Sequence, residues 1–483
     1  MEDLKSQVVS GVKWNGVSVG FITGLSFITT VVLARILSPS DFGLMGMIMV
    51  VIGFAQAFSD MGLSNAIIQR KHVPENHLSS FFWINIVIGI LLFVCILLIR
   101  PLAVVYFKQV SISKYLLFTA ALFLILPSGQ VFTTLLTKEL RFRTLAKVDI
   151  AGTIVYSIST IGFALGKFGV VSLIFGQLIR SLFTVCLLFF LFRKIWLPKF
   201  HFNYREIQGY LSFGAFQMGE RVVNYLYANI DYIIIGRFLG PAALGFYSLA
   251  YNIMTLPLNK INPIITRVAF PAFSRVQDDN ALLRKGYCKV IKYITFLSFP
   301  MVVGTLILAP EFIRLVYGAQ WDPAIPVLQA LCLVGVFKSL GNPIGSILLA
   351  KGRADIGFYW NLFALIMVAI AEIVGVKWGI VGVAVAILIL QPPFFLIIQP
   401  VVNRLINLKF REYFSAIKPG TLCTAIMLAV IAPLKVFLCE INVLALFFII
   451  IVAGIATYSL SFYITDKGLL LEFKSAIIKK GPR

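Results

Sequence analysis

Apolar residues run in blocks of about twenty along the whole chain, and short stretches between the blocks collect the basic and polar residues. The blocks are continuous rather than alternating, which excludes a transmembrane β-barrel and predicts membrane-spanning helices. The expected spans cover roughly residues 14–34, 42–63, 80–100, 115–136, 149–166, 170–192, 212–236, 243–268, 292–314, 325–349, 356–376, 379–401, 419–438 and 442–464. The expected fold class is therefore an all-α polytopic membrane protein with about fourteen transmembrane helices.

The pattern also repeats. Ala34-Arg35-Ile36-Leu37-Ser38-Pro39, ending at Gly43, returns as Gly236-Arg237-Phe238-Leu239-Gly240-Pro241, ending at Gly245. Asn65-Ala66-Ile67-Ile68-Gln69-Arg70 returns as Asn262-Pro263-Ile264-Ile265-Thr266-Arg267, and Lys167-Phe168-Gly169-Val170-Val171 as Lys377-Trp378-Gly379-Ile380-Val381. The common order predicts two six-helix lobes, residues 1–200 and 201–411, followed by two additional spans and a tail over 412–483. A repeat of six spans is even, so the lobes are expected to share one orientation about an axis along the membrane normal. Pro127-Ser128-Gly129 in the fourth span and Gly341-Asn342-Pro343 in the tenth are breakers in partner spans. They fit either a functional hinge or an ordinary packing kink.

Composition narrows the class. The 483 residues are 59% hydrophobic and 13% charged, more apolar than a soluble domain can hide. The formal charge of +22 sits in short loops, where membrane topology explains it, so no nucleic-acid partner is expected. Loops on the side of the termini hold about 30 Lys and Arg against about nine opposite, which predicts cytoplasmic termini. The six cysteines are scattered and the three histidines lie in loops, so neither metal nor cofactor is expected. No phosphate-cradling loop, HExxH motif or nucleophile elbow appears, which argues against an enzyme.

Candidate chemistry lies in the few charges inside spans, because a charge at the bilayer centre costs at least about 2.5–3.5 kcal/mol. These are Arg180, Glu220, Arg221, Asp231, Lys338 and Glu372, the last close enough to a helix end to reach water. Glu220, Asn224, Tyr227 and Asp231 are spaced to share one helix face. The first repeat copy carries Ser18, Val19, Ile22 and Thr29 at the offsets of Glu220, Arg221, Asn224 and Asp231. Arg180, Arg221 and Lys338, with Asn224 and Tyr227, are the expected substrate contacts, serving an anionic cargo or forming ion pairs with the acids. Glu220 and Asp231 are the candidates for ion coupling, since burial and exposure change a carboxylate's protonation. Asp60, at the end of the second span, reads as a packing device, and Arg35 and Arg237 as anchors at the outer ends of the first and seventh spans.

The motif Ala34-Arg35-Ile36-Leu37-Ser38-Pro39 with Asp41-Phe42-Gly43, followed by Asp60-Met61-Gly62-Leu63 and Ile67-Ile68-Gln69, resembles the Wzx-type polysaccharide exporters, most closely their colanic-acid-exporter-like branch. These belong to the multidrug/oligosaccharidyl-lipid/polysaccharide exporter superfamily, and the likeness covers essentially the whole chain. It implies a flippase of the bacterial inner membrane that moves undecaprenyl-pyrophosphate-linked oligosaccharides by alternating access. It further implies a V-shaped pair of lobes around a cationic cavity, and a proton or sodium gradient as the drive. The prospective partners are the lipid-linked substrate, membrane lipids, a polysaccharide polymerase and a chain-length regulator. The alternatives are a multidrug exporter of the same superfamily, whose cavity should be more acidic, against which Arg180, Arg221 and Lys338 argue, and a membrane polymerase, for whose large outer loop the outer loops here are too short.

Overall fold

The apolar blocks fold as helices, and no strand occurs among the described residues. The computed structural model describes residues 2–59, 63–70, 73–438 and 440–465, with side chains except at 2–13, 15, 65, 66, 69, 205–218, 220 and 263–268. Two compact units divide the chain at residues 245 and 246.

The first unit holds α1 (Glu2–Ile36), α2 (Pro39–Gln56), α3 (Leu63–Gln69), α4 (Glu75–Phe107), α5 (Ser111–Ala120), α6 (Leu122–Lys138), α7 (Phe142–Leu165), α8 (Val170–Phe192), α9 (Tyr204–Phe238) and the start of α10 (Gly240–Arg275). α5 and α6 together make one membrane-length rod, and α3 is a single short helix. Local chemistry fixes the turns. Ser38 caps α2 by accepting the Asp41 amide while Asp41 accepts the Ser38 amide at 2.9 Å, and Pro39 fills the first helical position. Phe81, Phe132, Leu136, Leu188 and Phe192 form the core at one end of the bundle.

The second unit continues α10 and adds α11 (Asn280–Phe312), α12 (Ala324–Ala350), α13 (Ala354–Gly375), α14 (Gly379–Leu405), α15 (Phe410–Phe437) and α16 (Val443–Thr465). Asp279 caps α11 by accepting the amides of Ala281 and Leu282. Tyr287, Ile291, Ile347, Val402 and Tyr413 pack one core, and Cys423, Met427, Ile450 and Phe462 knit α15 and α16 onto α11 through Phe296.

Counting the α5–α6 rod once and leaving α3 aside, the described helices make fourteen rods long enough to span a bilayer, the number the apolar blocks predict. Pro127 and Pro343 do not break their helices; each lies inside a continuous one. Pro127 cannot bond the carbonyl of Phe123, and Gly89 of α4 closes on that carbonyl, where a side chain would collide. Pro257 and Pro271 are likewise contained within α10.

Candidate functional site

In the first unit, α7 and α8 come close enough at Gly152 that a Cβ there would lie 2.7 Å from Thr184 Oγ1. The same bare stretch of α7 lets the half-buried Arg180 lie against it, its Cγ and Nε 3.7 and 3.8 Å from the Cβ position. Arg180 thereby interacts electrostatically with Asp149, three residues before Gly152, and with Tyr156. Gln130 and Thr133 of α6 and Gln177, Ser181 and Thr184 of α8 complete a cavity of about 250 Å³ around this pair. Leu126, Val185 and Leu188 supply its apolar wall. Asp149 lies seven residues into α7, about 10 Å from the start of the helix at 1.5 Å per residue. The site is thus inside the bundle rather than on a loop.

Sequence reading picked out Arg180 and missed Asp149, Gln130 and Gln177. Asp149 opens the predicted fifth span, where a carboxylate looks like a helix-end residue. Only the packing of α7 on α8 shows that Arg180 is across from it.

α9 is unbroken, so the spacing of Asn224, Tyr227 and Asp231 does place them along one face. Arg221, Asn224 and Tyr227 are half-buried. Asp231 is buried, and its Oδ1 accepts the Tyr232 amide at 3.0 Å. The side chain of Glu220, and Asp60 altogether, lie outside the described residues. On another face, Tyr225 Oη donates to the carbonyls of Met49 and Val50, at 3.1 and 3.0 Å, where Gly53 leaves room for the ring. Arg237 anchors the end of α9 by donating to the carbonyls of Val105 and Tyr106 and by lying over the Tyr106 ring. Arg35, its repeat partner, is exposed at the end of α1. Where Asp231 stands in the second copy, the first has Thr29, buried and sharing a 2.8 Å hydrogen bond with Ser157.

In the second unit, Lys338 of α12 reaches Tyr251 of α10. Its Nζ donates to the phenol oxygen at 3.1 Å and lies 4.9 Å from the ring centre. Tyr247 stacks behind Tyr251. Glu372, expected to reach water from the end of its span, is instead fully buried. Gly375 and Gly382 bring α13 and α14 into backbone contact just beyond it, which closes that end of the span. Glu311 and Lys435 form an ion pair of 2.8 Å that the sequence reading did not single out. Among the described residues, no three His, Cys, Asp or Glu side chains converge to hold a metal ion.

Residues 32–326 match the family model described as "Polysaccharide biosynthesis protein". The chain is 37% identical to the teichuronic acid biosynthesis protein TuaB of Bacillus subtilis (strain 168), over 88% of this chain and 89% of that one. It is 34% identical to the lipopolysaccharide biosynthesis protein WzxC of Escherichia coli (strain K12), over 85% and 84%. Its fold is that of the lipid II flippase MurJ in an inward closed conformation, with a TM-score of 0.76, 19% identity, and 94% and 99% of the two chains covered.

Proposed function

Because the chain belongs to the polysaccharide biosynthesis protein family, we propose that it is a flippase, carrying undecaprenyl-pyrophosphate-linked oligosaccharide repeat units across the bacterial inner membrane. It is a multi-pass membrane protein whose work is transport rather than catalysis. The observation that carries the reading is the set of charged and hydroxyl side chains placed inside membrane-spanning helices around Arg180. Lipid cannot satisfy such groups, and their cost is borne where a polar cargo passes.

Arg180, Arg221 and Lys338 are the cations assigned to the substrate, with Asn224 and Tyr227 adding polar contacts. Ion-coupled alternating access drives the cycle, with Glu220 and Asp231 as the carboxylates that exchange the coupling ion. A ligand shifts a conformational equilibrium only if it binds the two states differently, and a carboxylate alternately buried and wetted meets that condition. Both termini face the cytoplasm, the assignment supported by the basic loops on their side. A polysaccharide polymerase and a chain-length regulator are the partners such a flippase would supply.

The test is complementation. In bacteria deleted for their own flippase, expression of the chain restores surface polymer in at least one host of a panel with different repeat units. A protein that reaches the membrane and restores polymer in none would overturn the reading. A C-terminal fluorescent reporter that is active only in the cytoplasm checks the topology, and activity of an export-dependent reporter there would reverse it.

A further inference from the structure

The cavity around Arg180 has a chemistry of its own, distinct from a simple anion site. Asp149 lines the same cavity as Arg180, so a phosphate entering it would meet a carboxylate as well as a guanidinium. The remaining polar wall is neutral: two carboxamides, from Gln130 and Gln177, and hydroxyls such as that of Thr184. Gln130 donates one N–H to Ser64 Oγ at 3.0 Å and keeps the other with its oxygen, Gln177 offers both a donor and an acceptor, the Asp149 carboxylate accepts when ionised, and Arg180 only donates. This mixture suits a ligand whose own groups both donate and accept at neighbouring positions, which describes the vicinal hydroxyls of a sugar. Leu126, one turn before Gln130 on α6, and Val185 and Leu188, which follow Thr184 on α8, add an apolar surface for the C–H face of a pyranose ring.

Size agrees. A cavity of about 250 Å³ is large enough to take one sugar ring.

We propose that the cavity formed by Gln130, Asp149, Gln177, Arg180 and Thr184 is a subsite for one uncharged pyranose ring of the transported oligosaccharide. This rests on the flippase reading and specifies which part of the substrate the first unit holds.

The experiment uses the full chain in lipid nanodiscs and saturation-transfer NMR. The probes are the methyl α-glycosides of glucose, galactose, mannose and N-acetylglucosamine, with inorganic pyrophosphate as competitor. At least one glycoside should receive saturation, and Gln177→Ala and Asp149→Asn should weaken its binding about tenfold, the loss of one or two hydrogen bonds. Excess pyrophosphate should leave the signal in place. No saturation of any glycoside, persistence of the signal in both variants, or its abolition by pyrophosphate each overturns the subsite. If Asp149→Asn does not run as a single species on gel filtration, Thr184→Val with Gln177→Ala carries the same comparison. Wild-type export in cells without glycoside binding removes only the subsite, whereas lack of export in every host removes the flippase reading itself.

Discussion

Gly43 of α2 and Gly245 of α10 meet backbone to backbone, and they do so reciprocally. A Cβ on Gly43 would overlap the carbonyl oxygen of Pro241 and lie 2.9 Å from the Gly245 amide nitrogen. A Cβ on Gly245 would overlap the carbonyl oxygen of Pro39 and lie 3.3 Å from the Gly43 amide nitrogen. Pro39 and Gly43 are the counterparts of Pro241 and Gly245 in the repeated motif, so the two motif copies are packed on each other. Glycine is used here for close approach, as at small-residue crossings of membrane helices generally.

Gly43→Ala and Gly245→Ala should therefore each destabilise the protein by about 1–3 kcal/mol or more, the usual cost of overpacking. Gly304→Ala, whose Cβ would enter open space, is the control and should not lower stability. The midpoint for thermal loss of monodisperse protein in detergent reads the difference. A Gly43→Ala protein as stable as its parent would show that the crossing tolerates a side chain.

The hydroxyl of Tyr225 ties α9 to α2 through the Met49 and Val50 carbonyls. Tyr225→Phe removes that tie and keeps the ring, for an expected loss of about 0.5–1.5 kcal/mol. Gly53→Ala should cost more, because its Cβ would press within 2.8 Å of two ring carbons of Tyr225. The same thermal assay ranks the two, and the reverse order would contradict the packing described.

Hydropathy reveals which segments span the membrane because lipid imposes length and polarity on each helix separately. It is blind to what one helix presents to another. Pro127 reads as a break in the sequence, yet α6 runs through it, since Gly89 on a neighbouring helix packs over the carbonyl it frees. Glu372 reads as exposed from its place near a span end, yet the α13–α14 contact encloses it. Asp149 reads as a boundary residue, yet it faces Arg180 from a helix adjacent in the fold. Arg180 itself was legible because a cation in mid-span is conspicuous whatever surrounds it.

Export should depend on the intramembrane cations. Arg180→Ala, Arg221→Ala and Lys338→Ala should each lower surface polymer by about tenfold or more, with protein still in the membrane. Arg180→Lys and Arg221→Lys should recover part of the loss if charge matters more than the two-pronged geometry of guanidinium. Tyr251→Phe, which keeps the ring under Lys338 and removes the phenol oxygen, should be milder than Tyr251→Ala. Quantified surface polysaccharide decides this, and normal polymer in all three cation-to-Ala variants would dismiss the cations from transport.

Coupling can be separated from stability. Glu220→Gln should retain substrate binding in inverted membrane vesicles while its transport ceases to respond to an imposed pH gradient. Transport that still follows the gradient would clear Glu220 of the role and leave Asp231 as the candidate.

The polarity of α9 bears on how the protein is made. A segment with Arg221 and Asp231 inside it is a poor candidate to leave the translocon alone, since each central charge costs about 2.5–3.5 kcal/mol on insertion. Its partners are synthesised first. The carbonyls at the end of α4 that receive Arg237, and those of α2 that receive Tyr225, are already in the membrane when α9 emerges. A chain lacking α2 and α4 should therefore insert α9 less efficiently than the full chain, because the carbonyls that receive Tyr225 and Arg237 would be missing.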